Sequence, residues 1–340
     1  MPKLPDGLVT LTFRWLLRGR TPWAEAGFEQ AFDQFVLQPA EKKAKRVQSG
    51  GPVSFAEEDG AIIVSGDGFT LRFAGGALVS CRTGETEHLF VPLAPNFYRA
   101  LTDNDRGVAN FAPSMLRYLN VDAWRRAADR QRATMRAGET DGGVAIEADW
   151  KHPLLKRATV RYLVRRDGSI EITQRTVSRR RTMLRAGLQC TLAAGFDTAQ
   201  WLGRGPEENY PDRKTGSAIG TYGMKIDALE HPYMRPQENG ARCDIETLVL
   251  EGERKRLTVK NLGDSLIFSA WRYTQRELDE AEHQHELARH AETTLSLDGA
   301  MRGVGGDLPG MAALHEAYIL KPGVEYGTHV LLLPEEKQDK

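Results

Sequence analysis

Trp201-Leu-Gly-Arg-Gly-Pro-Glu-Glu-Asn-Tyr-Pro-Asp-Arg-Lys-Thr-Gly216 crowds glycine, proline, carboxylates and basic side chains into one short run. Glycine supplies turns, proline withholds a backbone donor, and short acids bond their own backbone, so the run reads as a loop. Two others share its character: Phe97-Tyr-Arg-Ala-Leu-Thr-Asp-Asn-Asp-Arg-Gly107 and Pro232-Tyr-Met-Arg-Pro-Gln-Glu-Asn-Gly-Ala-Arg-Cys-Asp244. Elaborate loops need a rigid frame.

The frame is written in strands. Residues 8–15 and 28–37 are rich in β-branched and aromatic residues, with Trp15, Phe28, Phe32 and Phe35 among them. From Ala61 on, hairpin punctuation recurs: Gly66-Asp-Gly68 separates 62–64 from 69–73, and Asp167-Gly168 separates 160–164 from 170–173. Runs at 144–150, 257–260, 266–273, 294–297 and 329–333 read the same way. Two helices interrupt: one opened by the capping-box order Thr274-Gln-Arg-Glu277, and a short basic one over 122–132. Many strands and few helices predict an all-β sandwich. The charged, Gly/Pro-rich stretch after Leu37 predicts a linker over 41–52 between a segment at 1–40 and a large domain at 53–335.

Bulk properties remove several function classes. Within 340 residues, Lys plus Arg and Asp plus Glu each total 46, so no net field favours nucleic acid or an anionic membrane. No apolar run is long enough to span a bilayer, and the first residues lack a signal-peptide order, so the expectation is a cytoplasmic chain. Cys81, Cys190 and Cys243 are too scattered for a disulfide framework or a zinc site.

Read on its own, Asp103-Asn-Asp105 with Arg106 and Gly107 suggests an oxygen-ligand cation site or a tight turn, and the turn is preferred. Glu207, Glu208, Asp212 and Glu238 invite the idea of a sugar-cleaving pair, which needs carboxyls about 5–9.5 Å apart. Arg204, Arg213, Arg235 and Arg242 are interleaved with them, however, and paired charges pinning loops are the simpler expectation. Asn209, Tyr210, Asn239 and Gly240 belong to the same loops. His283, His285 and His290 read as solvated histidines, since neighbours two apart leave a helix on different faces. Gly303-Val-Gly-Gly-Asp307 lacks the lysine and following helix of a phosphate loop. No metal site is expected.

In this order and spacing, the three loops closely resemble the C-terminal β-sandwich of bacterial β-galactosidases of glycoside hydrolase family 2. The resemblance implies a supersandwich shared with galactose mutarotases, preceded by the last strands of an immunoglobulin-like domain. It implies a catalytic barrel elsewhere that carries the glutamates and magnesium, leaving no catalytic residue and no cofactor here. It implies a loop over 108–113, hinged at Gly107, that closes over a β-galactoside held by the partner barrel. It also makes Gly306, Asp307, Leu308, Pro309 and Gly310 a site-facing loop. There the likeness breaks: many relatives carry a tryptophan where Gly310 stands, which argues for a different leaving-group site.

The resulting expectation is a small subunit, or a fragment, that completes and gates a β-galactosidase and is inactive by itself. Two rivals stay open. A free-standing sugar-binding module needs an exposed aromatic platform, with Trp201, Tyr210, Trp271 or Tyr273 as candidates. A mutarotase-like epimerase needs an acid on a concave face, with His152, His231 or His315 as candidates.

Overall fold

Phe69, Leu71 and Phe73 are buried while Thr70 and Arg72 between them are exposed, the two-residue period that commits a strand to one wet and one dry face. The computed structural model describes residues 7–42, 50–107, 123–125, 131–306 and 314–337. It builds two large antiparallel sheets from this pattern. One has nine strands in the order β15-β14-β16-β17-β20-β12-β11-β10-β9. In chain order these are β9 (Arg132–Thr140), β10 (Gly143–Lys151), β11 (Leu155–Arg165), β12 (Ile170–Ser178), β14 (Thr198–Gly205), β15 (Ala218–Lys225), β16 (Thr247–Glu251), β17 (Lys255–Asn261) and β20 (Glu325–Glu336). The other runs β18-β19-β13-β8-β6-β5-β4-β3, with β7 paired to β6. Its strands are β3 (Ser54–Glu58), β4 (Ala61–Gly66), β5 (Phe69–Ala74), β6 (Ala77–Thr83), β7 (Thr86–Glu87), β8 (Leu89–Asn96), β13 (Arg185–Leu192), β18 (Ile267–Trp271) and β19 (Thr293–Met301).

Their inner faces meet in one apolar core, with Leu71, Phe73, Ile146, Tyr162, Ile172, Leu188, Phe268 and Val330 all buried. Each large side chain removed from water there contributes about 1.5–3 kcal/mol. The three cysteines are buried and unpaired with one another, as scattered thiols in a core should be. The predicted hairpins form: β4 ends at Gly66 and β5 starts at Phe69, while Asp167 accepts from the Ser169 amide and Gly168 takes φ +79°. The helix predicted from the capping box is α2 (Gln275–Glu280), with Thr274 and Glu277 exchanging both cap bonds; a helix that was not predicted, α1 (Asp103–Arg106), lies in the loop after β8. Of the predicted basic helix, 123–125 is helical, Arg132 already opens β9, and the rest lies outside the described residues.

One expectation needs correcting. Trp201–Gly205 is not loop but the end of β14, where Trp201 pairs with both Tyr222 and Leu248, and the loop begins at Pro206. Tertiary pairing overrides the glycines.

The N-terminal residues form a separate two-stranded sheet, β1 (Val9–Leu16) and β2 (Glu29–Gln38). On one face Thr12 opposes Gln34, whose amide donates to the Ile219 carbonyl at 3.0 Å and accepts from the Ile219 amide at 2.7 Å. That side chain stands in for a neighbouring strand and caps the free edge of β15. On the opposite face Leu11, Phe13, Trp15 and Phe35 lie about half exposed. Of the predicted linker, residues 43–49 lie outside the described residues.

Candidate functional site

The loop after β8 shows how the site is built. Thr102 caps α1 (Asp103–Arg106), its hydroxyl accepting from the Asp105 amide while Asp105 accepts from the Thr102 amide at 3.0 Å. The Asp105 carboxylate also takes a forked contact from fully buried Arg99, at 2.5 and 3.3 Å. Burial raises its pKa, but Arg99 and the Thr102 amide outweigh this and hold the carboxyl below its usual range. Asp103 exchanges bonds with Gln237, Asn104 donates to the Val304 carbonyl at 2.9 Å, and Arg106 reaches Asp279. The acidic triplet is therefore one capped helical turn in place of the expected tight turn, with Gly107 at φ −17°. Among the described residues no cluster of three histidine, cysteine or acidic side chains could hold a metal. Gly107 closes α1 by donating to the Asp103 carbonyl, and 108–113 lies outside the described residues.

The loop after β14 is tied down by the same chemistry. Arg204 pairs with Asp244 at 2.6 Å and donates to the Lys214 and Ser217 carbonyls. Glu208 accepts from Arg213 at 2.5 Å, from the Gly240 amide at 2.7 Å and from the Tyr233 hydroxyl. Burial alone would raise its pKa; these donors reverse the sign and hold it down. Asn209 accepts from the Cys243 amide, and Tyr210 is buried beneath the Arg213 guanidinium. Asn239 accepts from His231 and donates to the Gln237 carbonyl and the Tyr273 hydroxyl. Gly240 sits at φ +72° with no room for a side chain. Glu207 stays exposed on the rim of a pocket of about 280 Å³ that also holds Glu230, His231 and Arg242.

Asp212 joins this loop to the glycine run, accepting from the Val304 amide at 3.0 Å and the Gly305 amide at 2.6 Å. A β-carbon on Gly303 would stand 2.7 Å from the Asp212 carboxyl carbon, so glycine is required by close approach. Gly306 follows within the described residues, whereas Asp307, Leu308, Pro309 and Gly310 lie outside them. With Arg99 donating to the Gly303 carbonyl at 3.1 Å, the three predicted loops and the glycine run become one layer.

Two arginines depart from the expected pairing. Arg242 is held by the carbonyls of Pro206, Leu229 and Gly240 rather than by an acid. Arg235 forms no ion pair among the described residues, because its neighbour is another arginine, Arg106. The layer also contains a centre that sequence reasoning missed. Arg185, fully buried, donates to Glu238 and lies 3.1 Å from Asp298 on its other side. Burial pushes the Glu238 carboxyl up against the pull of Arg185 and Arg99, and Asp298 up to about 7. The only sequence signal was a single charge in each of two otherwise uncharged strands, β13 and β19.

The rival sites fare differently. Trp201, Tyr210, Trp271 and Tyr273 are all buried, so none is a platform. His152 lies stacked on Trp124, and burial lowers its pKa to about 4. His231 is exposed, while His283 and His290 pair with Glu286 and Glu277 at the surface.

The structure is thus a double antiparallel sandwich with one end sealed by ion-paired loops. Residues 65–332 match the family model for the β-galactosidase small chain, and the chain belongs to that family. It is 31% identical over 337 residues to a β-galactosidase of Priestia megaterium, with 96% of this chain and 31% of the relative aligned. A β-galactosidase of Vibrio cholerae is 30% identical, with 96% and 32% covered. The chain thus spans about a third of the length of the relatives it matches. Among solved structures it is similar to a galactose mutarotase-like protein of Lactobacillus casei (TM-score 0.45, 12% identity, 81% of this chain and 100% of that one). It is also similar to a galactose 1-epimerase of Lactobacillus acidophilus (TM-score 0.47, 12% identity, 84% and 99%). Among the described residues no helix is long and apolar enough to cross a membrane.

Proposed function

We propose that this chain is the β-sandwich part of a β-galactosidase that hydrolyses terminal β-D-galactosides, and that it completes an active site carried by a separate barrel. The observation that carries the reading is the uncovered face of Leu11, Phe13, Trp15 and Phe35, beside a sandwich whose two large sheets bury their inner apolar faces against each other. An apolar sheet face left in water marks a contact surface. Family membership makes the remainder of a β-galactosidase the partner, with the first strands of an immunoglobulin-like domain over this face.

In this reading the barrel supplies the glutamates and the magnesium. The carboxylates here are committed: Glu208 has three donors and Glu238 is sealed against Arg185, so neither is free to move a proton on a sugar. The loops ending at Gly107 and Gly306 lie in one layer at the end of the sandwich. Gly107 is the hinge.

The test mixes the pure chain with a family barrel protein truncated before this region and assays a chromogenic β-galactoside. Neither part alone turns over and the mixture does. Phe13→Ser with Phe35→Ser abolishes the gain, while Gly107→Pro lowers kcat in the mixture without blocking assembly. Turnover by the chain alone, or no gain on mixing, contradicts the reading.

A further inference from the structure

The outer face of the β8-β13-β19 sheet carries a feature that the assembly does not explain. Val91, Thr191 and Thr294 are register partners across these three neighbouring strands and form one row; Ala94, Gln189 and Ser296 form the next row on the same face. With α2 as a wall, Val91, Thr191, Thr294 and Gln189 line a cavity of about 470 Å³. A second hollow of about 100 Å³ shares Val91, Thr191, Thr274 and Thr294 with it and adds Phe90 and His290. The two form one groove. Ligand pockets generally span about 300–1,000 Å³.

The groove's polar groups are oriented and unspent. The Gln275 carbonyl oxygen accepts from Arg185 at 3.0 Å, and an arginine can only donate, which fixes which end of that amide is which. It also accepts from Asn96 and from the Gln189 amide, and Gln189 donates in addition to Ser296. The Gln275 nitrogen and the Gln189 oxygen are left without a hydrogen-bond partner among the described residues. So are the hydroxyls of Thr191 and Thr294, although Thr294 is only 4% exposed. A hydroxyl that opens onto a cavity without a protein partner is free to bond to a ligand that enters it. At the other end of the groove Phe90, 67% exposed, presents an apolar ring. The lining charges, Arg125 and Arg276 against Asp279 and Glu280, cancel.

We propose that this groove binds an uncharged pyranose. A pyranose has an apolar CH face that suits the Phe90 ring and equatorial hydroxyls that both give and take hydrogen bonds, which suits the free amide donor, amide acceptor and threonine hydroxyls. Charge balance in the lining disfavours an anionic ligand, and the number of free polar groups disfavours a purely apolar one. The proposal rests on residues of this chain and does not depend on the barrel-completion reading.

The experiment titrates the full chain, labelled at threonine and valine methyls, with D-galactose and with methyl β-D-glucopyranoside; glycerol serves as an acyclic control. At least one sugar shifts the Thr191, Thr294 and Val91 signals saturably, at concentrations where glycerol does not. Phe90→Ala weakens that binding roughly fivefold, equivalent to about 1 kcal/mol, and Thr294→Val weakens it further. Neither lowers the melting temperature enough to account for the loss. Shifts confined to other methyls, equal shifts with glycerol, binding indifferent to both substitutions, or methyl shifts that follow protein concentration instead of sugar would each overturn the proposal, the last by assigning the face to a second copy of the chain.

Discussion

The N-terminal hairpin and the loop layer are both irregular additions to one sandwich, and they have opposite surfaces. In the loop layer charged side chains are buried against opposite charges: Arg99, Arg185 and Glu238 are nearly or wholly sealed, and Asp105, Glu208 and Asp212 hold loops from three parts of the chain. In the hairpin the least polar side chains, Phe13, Trp15 and Phe35, are left half in water. Polar groups go inside only when every partner is supplied, whereas an apolar face waits for a partner that can come from elsewhere. Among the described residues the loop layer is braced by its own ion pairs, and the hairpin leaves an apolar face in water.

The largest expected effect comes from breaking the finished region. Arg185→Met removes the cation between Glu238 and Asp298 and strands two buried carboxyls, which costs about 3–5 kcal/mol. Calorimetry should register a drop in Tm of about 10 °C, given roughly 2–4 °C per kcal/mol in large domains. Adding Glu238→Gln and Asp298→Asn should recover part of the loss. A single substitution as stable as wild type would mean that the pair is not sealed.

Gly303→Ala comes next. The added carbon meets the Asp212 carboxyl at 2.7 Å, and overpacking of this kind costs about 1–3 kcal/mol. Asp212→Gly in the same chain should not restore wild-type stability, because the Val304 and Gly305 amides then lose their acceptor. Full recovery would reduce the contact to simple crowding.

A third test sharpens the comparison through pH. Asp298 has a folded pKa of about 7 against an ordinary 3.8, so the folded state holds its proton more tightly than the unfolded chain does. Its contribution to stability is therefore largest at the acid end and is lost as pH rises through about 7. Glu208 and Asp105 have lowered pKa values and act in the opposite sense, losing their contribution as pH falls below the ordinary carboxylate range. Buried His88 and His152, both lowered to about 4, also lose their contribution as pH falls through the ordinary histidine range, so the Asp298 effect is read as a difference between two chains. The stability of the wild type relative to Asp298→Asn should fall as pH rises toward 7.5; a difference independent of pH would remove Asp298 from the account.

Much of this was legible before the structure. Alternation and Gly-Asp-Gly punctuation placed β4, β5, β11 and β12, and Thr274 with Glu277 placed α2, because these are local rules expressed in adjacent residues. The bracing of Glu208 by Arg213 was legible from their closeness in sequence. What could not be read was long-range satisfaction. Arg185, Glu238 and Asp298 are brought together only by the strand order, and Trp201–Gly205 becomes strand only because β15 and β16 flank it. Sequence places charges along a chain; it takes the sheet order to say which of them share a partner. The outer-face groove was invisible for the same reason, since Val91, Thr191 and Thr294 meet only through register.

The central claim, a self-sufficient sandwich carrying an unfinished hairpin, is tested most directly by hydrogen exchange on the full chain with and without the truncated barrel protein. The account predicts that amides of β12 and β13 are strongly protected in both states, while those of β1 and β2 exchange quickly in the isolated chain and become protected only in the mixture. A hairpin as protected alone as the sandwich core, and unchanged by the barrel protein, would contradict it.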